Sequence, residues 1–197
     1  MVAQRDVGEA ERILDAALFL GEQRGWDAVH MYDVADHMKI GLADIEPHFR
    51  NKDEIAEAWF RRADHALASC ANEPGWMELS VRERLSRAIR AWFGALEPHK
   101  GLTVEMLRYK VQPDHIHLVI QGVLRTSSTV QWVREAARVP SKGLRRELLE
   151  PALTAIFLST MALWLVERTA GTPRTWAWLE ARLADAERIA LRWPSRS

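Results

Sequence analysis

The stretch MYDVADHMKIGLADIEPHFRNKDE, Met31–Glu54, contains two short helical segments joined by a tight turn and is closed by Phe49 and Lys52. This outline predicts a helix-turn-helix, the motif in which the second helix enters the major groove of DNA. A DNA-reading helix is expected to carry small polar or basic residues, whereas this one carries Asp44 and Glu46. The stretch therefore predicts the shape of a DNA-binding motif, while its two acids argue against the binding itself.

The charge of the chain is distributed unevenly around this motif. The formal net charge is zero, but residues 1–64 carry 8 Lys/Arg against 14 Asp/Glu, a net charge of −6. The remaining residues carry 19 Lys/Arg against 13 Asp/Glu, a net charge of +6. Because affinity for DNA comes largely from neutralised phosphates, an acidic N-terminal region is a handicap for a DNA-binding protein.

Helical periodicity dominates the rest of the chain, and no strand-like alternation persists beyond a few residues. The sequence therefore predicts an all-α fold of about nine helices. Gly25 is predicted to end the first helix, and Asn51 to cap the start of the fourth. Further helix starts are predicted at the capping box Ser80–Glu83, at Asp114 and at Thr172–Pro173.

Pro151 is predicted to kink or split a long helix over residues 143–169. Two apolar stripes, ALTAIFLSTMALWLV (152–166) and TWAWLEARLADAERIALRW (175–193), mark this helix and the last one. Their apolar surface exceeds what a monomer would expose. It would be buried either in an isologous dimer or within the chain's own core.

Several features predict a cytoplasmic protein. The single cysteine, Cys70, excludes a disulfide framework and fits a reducing compartment. The N-terminus MVAQRDVGEAERIL is charged and lacks the apolar core of a signal peptide. The most apolar run, Pro151–Val166, is shorter than the roughly 20 residues that span a bilayer, so no membrane span is expected.

The order of the first four helices resembles the TetR family of bacterial transcriptional regulators. The resemblance rests on ILDAALFLGEQRGWDAV (13–29), DVADHM (33–38) and ADIEPHFRNKDEI (43–55). It implies a three-helix helix-turn-helix domain over residues 1–52 and a helical ligand-binding and dimerisation domain over residues 53–197. It further implies a homodimer, paired through the last two helices, that binds a palindromic operator in double-stranded DNA and is released by a small apolar ligand.

The resemblance also assigns roles by position. Lys39–Gly41 would form the turn, Leu42–Glu46 the recognition helix, and His48 and Phe49 would close the small core, while Lys52 would face the DNA backbone. The implied DNA-binding residues are Lys39, Gly41, Leu42, Ala43, Asp44, Glu46, His48 and Lys52. The family usually has Gly where Lys39 stands, so this lysine is expected to adopt a left-handed or an adjusted conformation at some cost. It usually has Ser or Thr where Gly41 stands, so the helix cap is weaker here.

Nine tryptophans are many for this length, and most are expected in the core, because aromatic side chains dominate buried area. A subset would instead line an aromatic cavity for an apolar ligand. The candidate ligand-binding residues are Trp92, Met106, His117, Met161 and Trp164. His115 and His117 face different ways on a helix, so they do not form a metal pair. With no metal-site spacing, phosphate loop or catalytic motif, the sequence predicts no enzyme, no cofactor and no metal.

Two alternatives to a regulator remain open. Residues 154–189, TAIFLSTMALWLVERTAGTPRTWAWLEARLADAERI, resemble the end of the ubiquinone-biosynthesis accessory family. That resemblance implies a protein of the same fold that binds isoprenoid lipids and does not bind DNA, for which an acidic helix-turn-helix would be expected. The other alternative is a protein-interaction module of the same shape without a DNA partner.

Overall fold

A computed structural model describes residues 2–110, 128–139 and 144–192, and the side chains within them except those of 2–7, 109–110, 144–149 and 191–192. Within these ranges the chain forms α-helices and single 3-10 turns and no strand, which confirms the prediction of an all-α fold. The helices are α1 (Val2–Arg24), α2 (Met31–Met38), α3 (Leu42–Ile45), α4 (Lys52–Ser69), α5 (Val81–Leu96), α6 (Lys100–Lys110), α7 (Leu144–Val166) and α8 (Pro173–Arg192), and residues 128–136 are also helical.

Contacts between Cα atoms divide the chain into two compact units. The first contains the described residues of Met1–Ala63 and Ala95–Ile120, and the second those of Asp64–Gly94 and Gln121–Ser197. The first unit thus combines α1, α2, α3 and the first part of α4 with α6. The division of function predicted after residue 52 stays a prediction.

In the first unit, α6 packs closely against α1 and α4. A Cβ atom on Gly21 of α1 would lie 2.7 Å from the Leu102 side chain of α6, so glycine permits this approach. The indole N–H of Trp59 in α4 donates to the Thr103 hydroxyl at 2.9 Å. Because Trp59 and Thr103 are both buried, this bond satisfies two polar groups that would otherwise be costly to bury.

The second unit has an aromatic core centred on Phe93 of α5. The ring centroid of Phe93 lies 5.0–6.1 Å from those of four other aromatic residues: Trp92, Phe157, Trp164 and Trp176. These residues come from α5, α7 and α8, so the cluster joins three helices. Most of its area is apolar, as expected for tryptophans that serve as core residues.

The predicted helix boundaries agree with the structure at several positions. Gly25 has a φ of 82° immediately after α1. The Asn51 side chain accepts the backbone N–H of Glu54 at 3.0 Å and caps α4. Ser80 and Glu83 form both bonds of the predicted capping box. The expectation at Pro151 is corrected in part, because α7 continues through this residue and is not split.

The predicted helix start at Asp114 lies outside the described residues. Within the part of the chain that the structure describes, no helix is long and apolar enough to cross a membrane. In particular, the apolar residues of α7 pack in part into the aromatic core, where Phe157 and Trp164 are each 1% exposed.

Candidate nucleic-acid interface

The turn between α2 and α3 is built around Lys39. This residue has φ 57° and ψ 43°, which is the left-handed one of the two conformations expected at this position. Its backbone N–H donates to the carbonyls of Ala35 and Asp36, and the N–H of Ile40 donates to Ala35 at 3.1 Å. These bonds satisfy carbonyls at the end of α2 and fix the direction in which the chain enters α3.

The predicted recognition helix, α3, is a single turn anchored by one buried side chain. Ile45 is 1% exposed, and the N–H of Phe49, which is 3% exposed, donates to the Ile45 carbonyl at 2.9 Å. Leu42 is 53% exposed, and the next two residues, Ala43 and Asp44, are also exposed. The first three residues of the helix therefore face outward, as residues that read DNA must.

The two acids of this helix differ in their surroundings. The Asp44 carboxylate accepts the backbone N–H of Gly41 at 2.8 Å, so it is held against the first turn of α3. Asp33 makes the same contact with the N–H of His30 at the start of α2, at 2.9 Å. The Glu46 side chain is exposed, and its carboxylate forms no hydrogen bond or ion pair with any described residue. Of the two acids, Asp44 thus has a local structural role.

Two exposed cations flank α3 in the chain. The side chains of Lys39 and Arg50 form no ion pair within the described ranges. Two other arginines of this region are neutralised by carboxylates: Arg24 lies 3.0 Å from Asp33, and Arg62 bonds Glu11 and Asp15. Lys39 and Arg50 therefore keep positive charge that phosphates could bind close to α3 in sequence.

Lys52 does not point its charge outward in this structure. Its ammonium donates to the backbone carbonyls of Trp26 at 3.1 Å and Asp27 at 3.3 Å, and lies 5.5 Å from the centroid of the Trp26 ring. Burial lowers the pKa of Lys52, although the charges of Asp27 and Asp53 oppose that shift. The contact of Lys52 with phosphate, implied by position, stays a prediction.

Sequence reasoning did not identify Arg50. Its position in HFRNK, between Phe49 and the start of α4, could have indicated that Arg50 is a candidate for DNA binding. His48, in the same segment, is half-buried and contacts other residues of the described chain. Which of these side chains faces outward depends on the turn that follows Ile45, and residue spacing alone does not define that turn.

The candidate ligand-binding residues lie in different places. Trp92 and Trp164 are buried in the aromatic core of the second unit, and Met161 is half-buried on α7. Met106 is buried in the first unit, and His117 lies outside the described residues. Their role in ligand binding stays a prediction.

One polar cluster adjoins this core. The Asp64 carboxylate accepts the indole N–H of Trp92 at 2.8 Å and the hydroxyl of Thr129 at 2.9 Å. No group of three or more metal-ligating side chains occurs among the described residues. An open groove lies elsewhere, on one face of α7; it is lined by Glu150, Pro151, Thr154, Ala155 and Leu158.

The chain is similar to known regulators in sequence and in fold. A family model described as bacterial regulatory proteins, tetR family, matches residues 13–59. The fold is similar to the crystal structure of the TetR transcriptional regulator from Nitrosomonas europaea ATCC 19718, with a TM-score of 0.81 and 35% identity, covering 91% of this chain and 98% of that chain.

Two further structures share the fold at lower identity. A regulatory protein of the tetR family from Rhodococcus RHA1 has a TM-score of 0.51 and 15% identity, covering 89% of this chain and 95% of that one. The TetR family transcriptional regulator PfmR from Thermus thermophilus has a TM-score of 0.52 and 18% identity, covering 88% and 97% respectively. No curated protein matches the sequence.

Proposed function

This chain belongs to the TetR family of bacterial regulatory proteins, and we propose that it is a dimeric regulator that binds operator DNA through α2 and α3. It has the fold of a TetR-family transcriptional regulator with an N-terminal DNA-binding domain. The observation that carries the proposal is the exposed turn of α3 with the exposed cations Lys39 and Arg50 on either side in the chain. Cations placed in this way would contact phosphates while Leu42 and Ala43 reach base edges.

The acidic charge of the N-terminal region is compatible with this proposal because of how Asp44 and Glu46 are placed on α3. The carboxylate of Asp44 is engaged by the N–H of Gly41, which fixes its position at the start of α3. Glu46 could accept a hydrogen bond from the amino group of cytosine, the base whose major-groove edge offers a donor. We therefore expect DNA binding to be selective and weak on non-specific sequences.

The dimer is proposed from the exposed apolar residues of α7 and α8. Leu158 is 46% exposed, Val166 73%, Trp178 39% and Ile189 64%. The groove on α7 lies on the same helix, at Pro151, Ala155 and Leu158 among others. Pairing α7 and α8 with their symmetry mates would remove this area from water, and the resulting two-fold axis would match a palindromic operator with half-sites roughly 34–36 Å apart.

A small apolar ligand is proposed as the regulatory signal. The aromatic side chains of the second unit, among them Trp92 and Trp164, provide the apolar surroundings such a ligand requires. Met161 is half-buried on α7, the helix that also carries Trp164. A ligand that binds one conformation more tightly than another would shift the population and release DNA. On this proposal the protein acts in the cytoplasm and catalyses no reaction.

Binding to the DNA that flanks the gene, measured across a salt series, tests the proposal. We expect saturable binding whose affinity falls steeply with salt. Replacing either Lys39 or Arg50 with Ala should lower the slope of log affinity against log salt by about 1 for each phosphate that is no longer neutralised. Arg108→Ala, which removes an exposed cation from α6, serves as the control and should leave the slope unchanged.

The test also separates the regulator from the second candidate. The net charge of −6 over residues 1–64 argues against a DNA partner, as does the bond of the Lys52 ammonium to a backbone carbonyl. Both are compatible with the second candidate, a lipid-binding protein of the same fold that does not bind DNA. If the purified protein bound no flanking DNA at low salt and carried isoprenoid lipid, the regulator proposal would be wrong. Binding of DNA with a salt slope unaffected by Lys39→Ala and Arg50→Ala would place the contact elsewhere.

A further inference from the structure

The 3-10 turn Trp26–Ala28, which joins α1 to α2, is held from two sides. The backbone N–H of Trp26 donates to the Glu105 carboxylate of α6 at 2.8 Å. The carbonyls of Trp26 and Asp27 accept from the ammonium of Lys52 at the start of α4, at 3.1 Å and 3.3 Å. Two charged side chains from two other helices thus bind the same turn, within one compact unit.

The hydrogen bonds of Lys52 and Glu105 with the turn are charge-assisted. Each joins an ionised side chain to a backbone group, and such bonds are roughly twice as strong as neutral ones. The Lys52 ammonium also lies over the ring of Trp26, which is 1% exposed. Lys52 and Glu105 thus add charge-assisted hydrogen bonds to those that the turn forms within itself.

The turn needs such restraint, because a single 3-10 turn has few internal hydrogen bonds. The turn also determines where α2 begins. α2 begins three residues after it, at Met31, and α3 follows α2 through the fixed turn at Lys39. A change in the direction of the turn would therefore be transmitted to the exposed face of α3.

We propose that Lys52 and Glu105 are positioning residues, which set the orientation of α2 and α3 for DNA by clamping the turn Trp26–Ala28. This inference rests on the proposed DNA-binding function. It gives Lys52 a different role from a phosphate contact, because its ammonium donates to two backbone carbonyls of the turn. It also gives α6 a direct connection to the DNA-binding helices, through Glu105.

The two roles of Lys52 predict different salt dependence. A phosphate contact contributes about 1 to the slope of log affinity against log salt, whereas a positioning residue changes affinity equally at every salt concentration. We expect Lys52→Met to weaken binding about fivefold to tenfold at all salt concentrations, which corresponds to about 1.0–1.4 kcal/mol. Glu105→Ala should have the same effect, although Glu105 carries the opposite charge. Lys39→Ala, by contrast, should lower the slope.

Hydrogen exchange at the backbone amide of Trp26, measured by NMR on the free protein, reports the clamp directly. Glu105→Ala should accelerate this exchange, and Glu105→Gln, which keeps an acceptor oxygen, should accelerate it less and restore much of the DNA affinity. Arg108→Ala, another change in α6, should alter neither. The Glu105→Gln variant also keeps the test valid if Glu105→Ala does not fold.

Three outcomes would overturn the inference. A decrease in salt slope by about 1 in Lys52→Met, with Trp26 exchange unchanged, would make Lys52 a phosphate contact. If Lys52→Met and Glu105→Ala both kept the DNA affinity of the unmodified protein and only lowered its melting temperature, the two contacts would stabilise the fold without orienting α2 and α3. If the unmodified protein bound no DNA, the proposed function would fail, and Trp26 exchange that did not respond to Glu105→Ala would show separately that no clamp exists.

Discussion

The carboxylate of Asp44 lies 2.8 Å from the backbone nitrogen of Gly41, the residue that caps α3. Gly41 has no side chain with which to satisfy the free N–H groups of the helix, and Asp44 returns to satisfy the N–H of the cap residue itself. A carboxylate in the first turn also interacts favourably with the helix dipole. An acid that is unfavourable near phosphates is thereby favourable for the helix that carries it.

Replacement of Asp44 should therefore cost stability, whereas replacement of Glu46 should not. We expect Asp44→Ala to lower the free energy of unfolding by roughly 0.5–1 kcal/mol, as loss of a helix cap does. Glu46→Ala removes the same charge two residues later, where no bond is lost, and should leave stability unchanged. Urea denaturation of the two variants measures the difference, and equal effects would show that the bond to Gly41 contributes nothing.

Lys39 has both a strained backbone and an exposed charge. Two substitutions separate the effect of the strain on stability from the effect of the charge on DNA binding. Its φ of 57° costs a residue with a Cβ roughly 1 kcal/mol. Lys39→Gly should therefore raise the free energy of unfolding by about 0.5–1 kcal/mol, while Lys39→Ala should not raise it. Both variants should lose DNA affinity equally, because both lose the ammonium. Unequal losses would mean that the turn's conformation, rather than the charge, governs binding.

Interactions between residues that are close in the sequence could be predicted from the sequence. The caps at Asn51 and Ser80 involve partners three residues away, and both appear in the structure as predicted. Lys39 is left-handed, which is one of the two geometries expected where the resembled family usually has glycine. Local chemistry within one helical turn was thus readable from residue types and spacing.

Interactions between distant segments were not predictable in this way. The carbonyls that bind Lys52 lie 25 and 26 residues before it, and the carboxylate that binds the N–H of Trp26 lies 79 residues after it. The family resemblance implies that Lys52 faces the DNA backbone, which stays a prediction, but it gave no sign that the ammonium also binds the turn Trp26–Ala28. Spacing within a helix indicates which face a residue occupies and does not indicate which other helix covers that face.

Two side chains of the second unit cap the end of the helical segment 128–136. The indole N–H of Trp76 donates to the Ala136 carbonyl at 2.8 Å, and the Arg84 guanidinium donates to the Ala137 carbonyl at 2.8 Å. Trp76→Phe keeps the ring but leaves a buried carbonyl without its donor, so we expect the free energy of unfolding to fall by about 1–3 kcal/mol. Trp132→Phe, the same change at a side chain that is 51% exposed, should alter it by less than about 0.5 kcal/mol.

Chemical denaturation of these two tryptophan variants tests the cap. An equal loss in both would show that ring size, and not the bond to Ala136, determines the effect. Arg84→Lys extends the test, because lysine cannot reproduce the fork with which Arg84 reaches the carbonyls of both Leu79 and Ala137. We expect this variant to be destabilised as well, although its charge is unchanged.

The start of α8 depends on Glu167, which predicts how stability responds to acid. Its carboxylate accepts the N–H of Arg174 at 3.0 Å and both the N–H and the hydroxyl of Thr175, at 2.8 Å and 2.6 Å. Desolvation raises the pKa of Glu167, but the hydrogen bonds from Thr175 and Arg174 outweigh it and hold the pKa below its ordinary value of 4.5. The folded protein therefore binds this proton less readily than the unfolded chain does.

A carboxylate with a lowered pKa stabilises the fold above its unfolded pKa, and this stabilisation is lost as the pH falls through the folded value. Glu167→Ala should thus lower the melting temperature at pH 7, and the difference from the unmodified protein should narrow as the pH falls below about 4.5. Glu135→Ala, at an exposed side chain that forms no ion pair among the described residues, is the matched control and should show no such narrowing. A difference for Glu167→Ala that stayed constant from pH 7 down to pH 3 would mean that the ionised carboxylate does not cap α8.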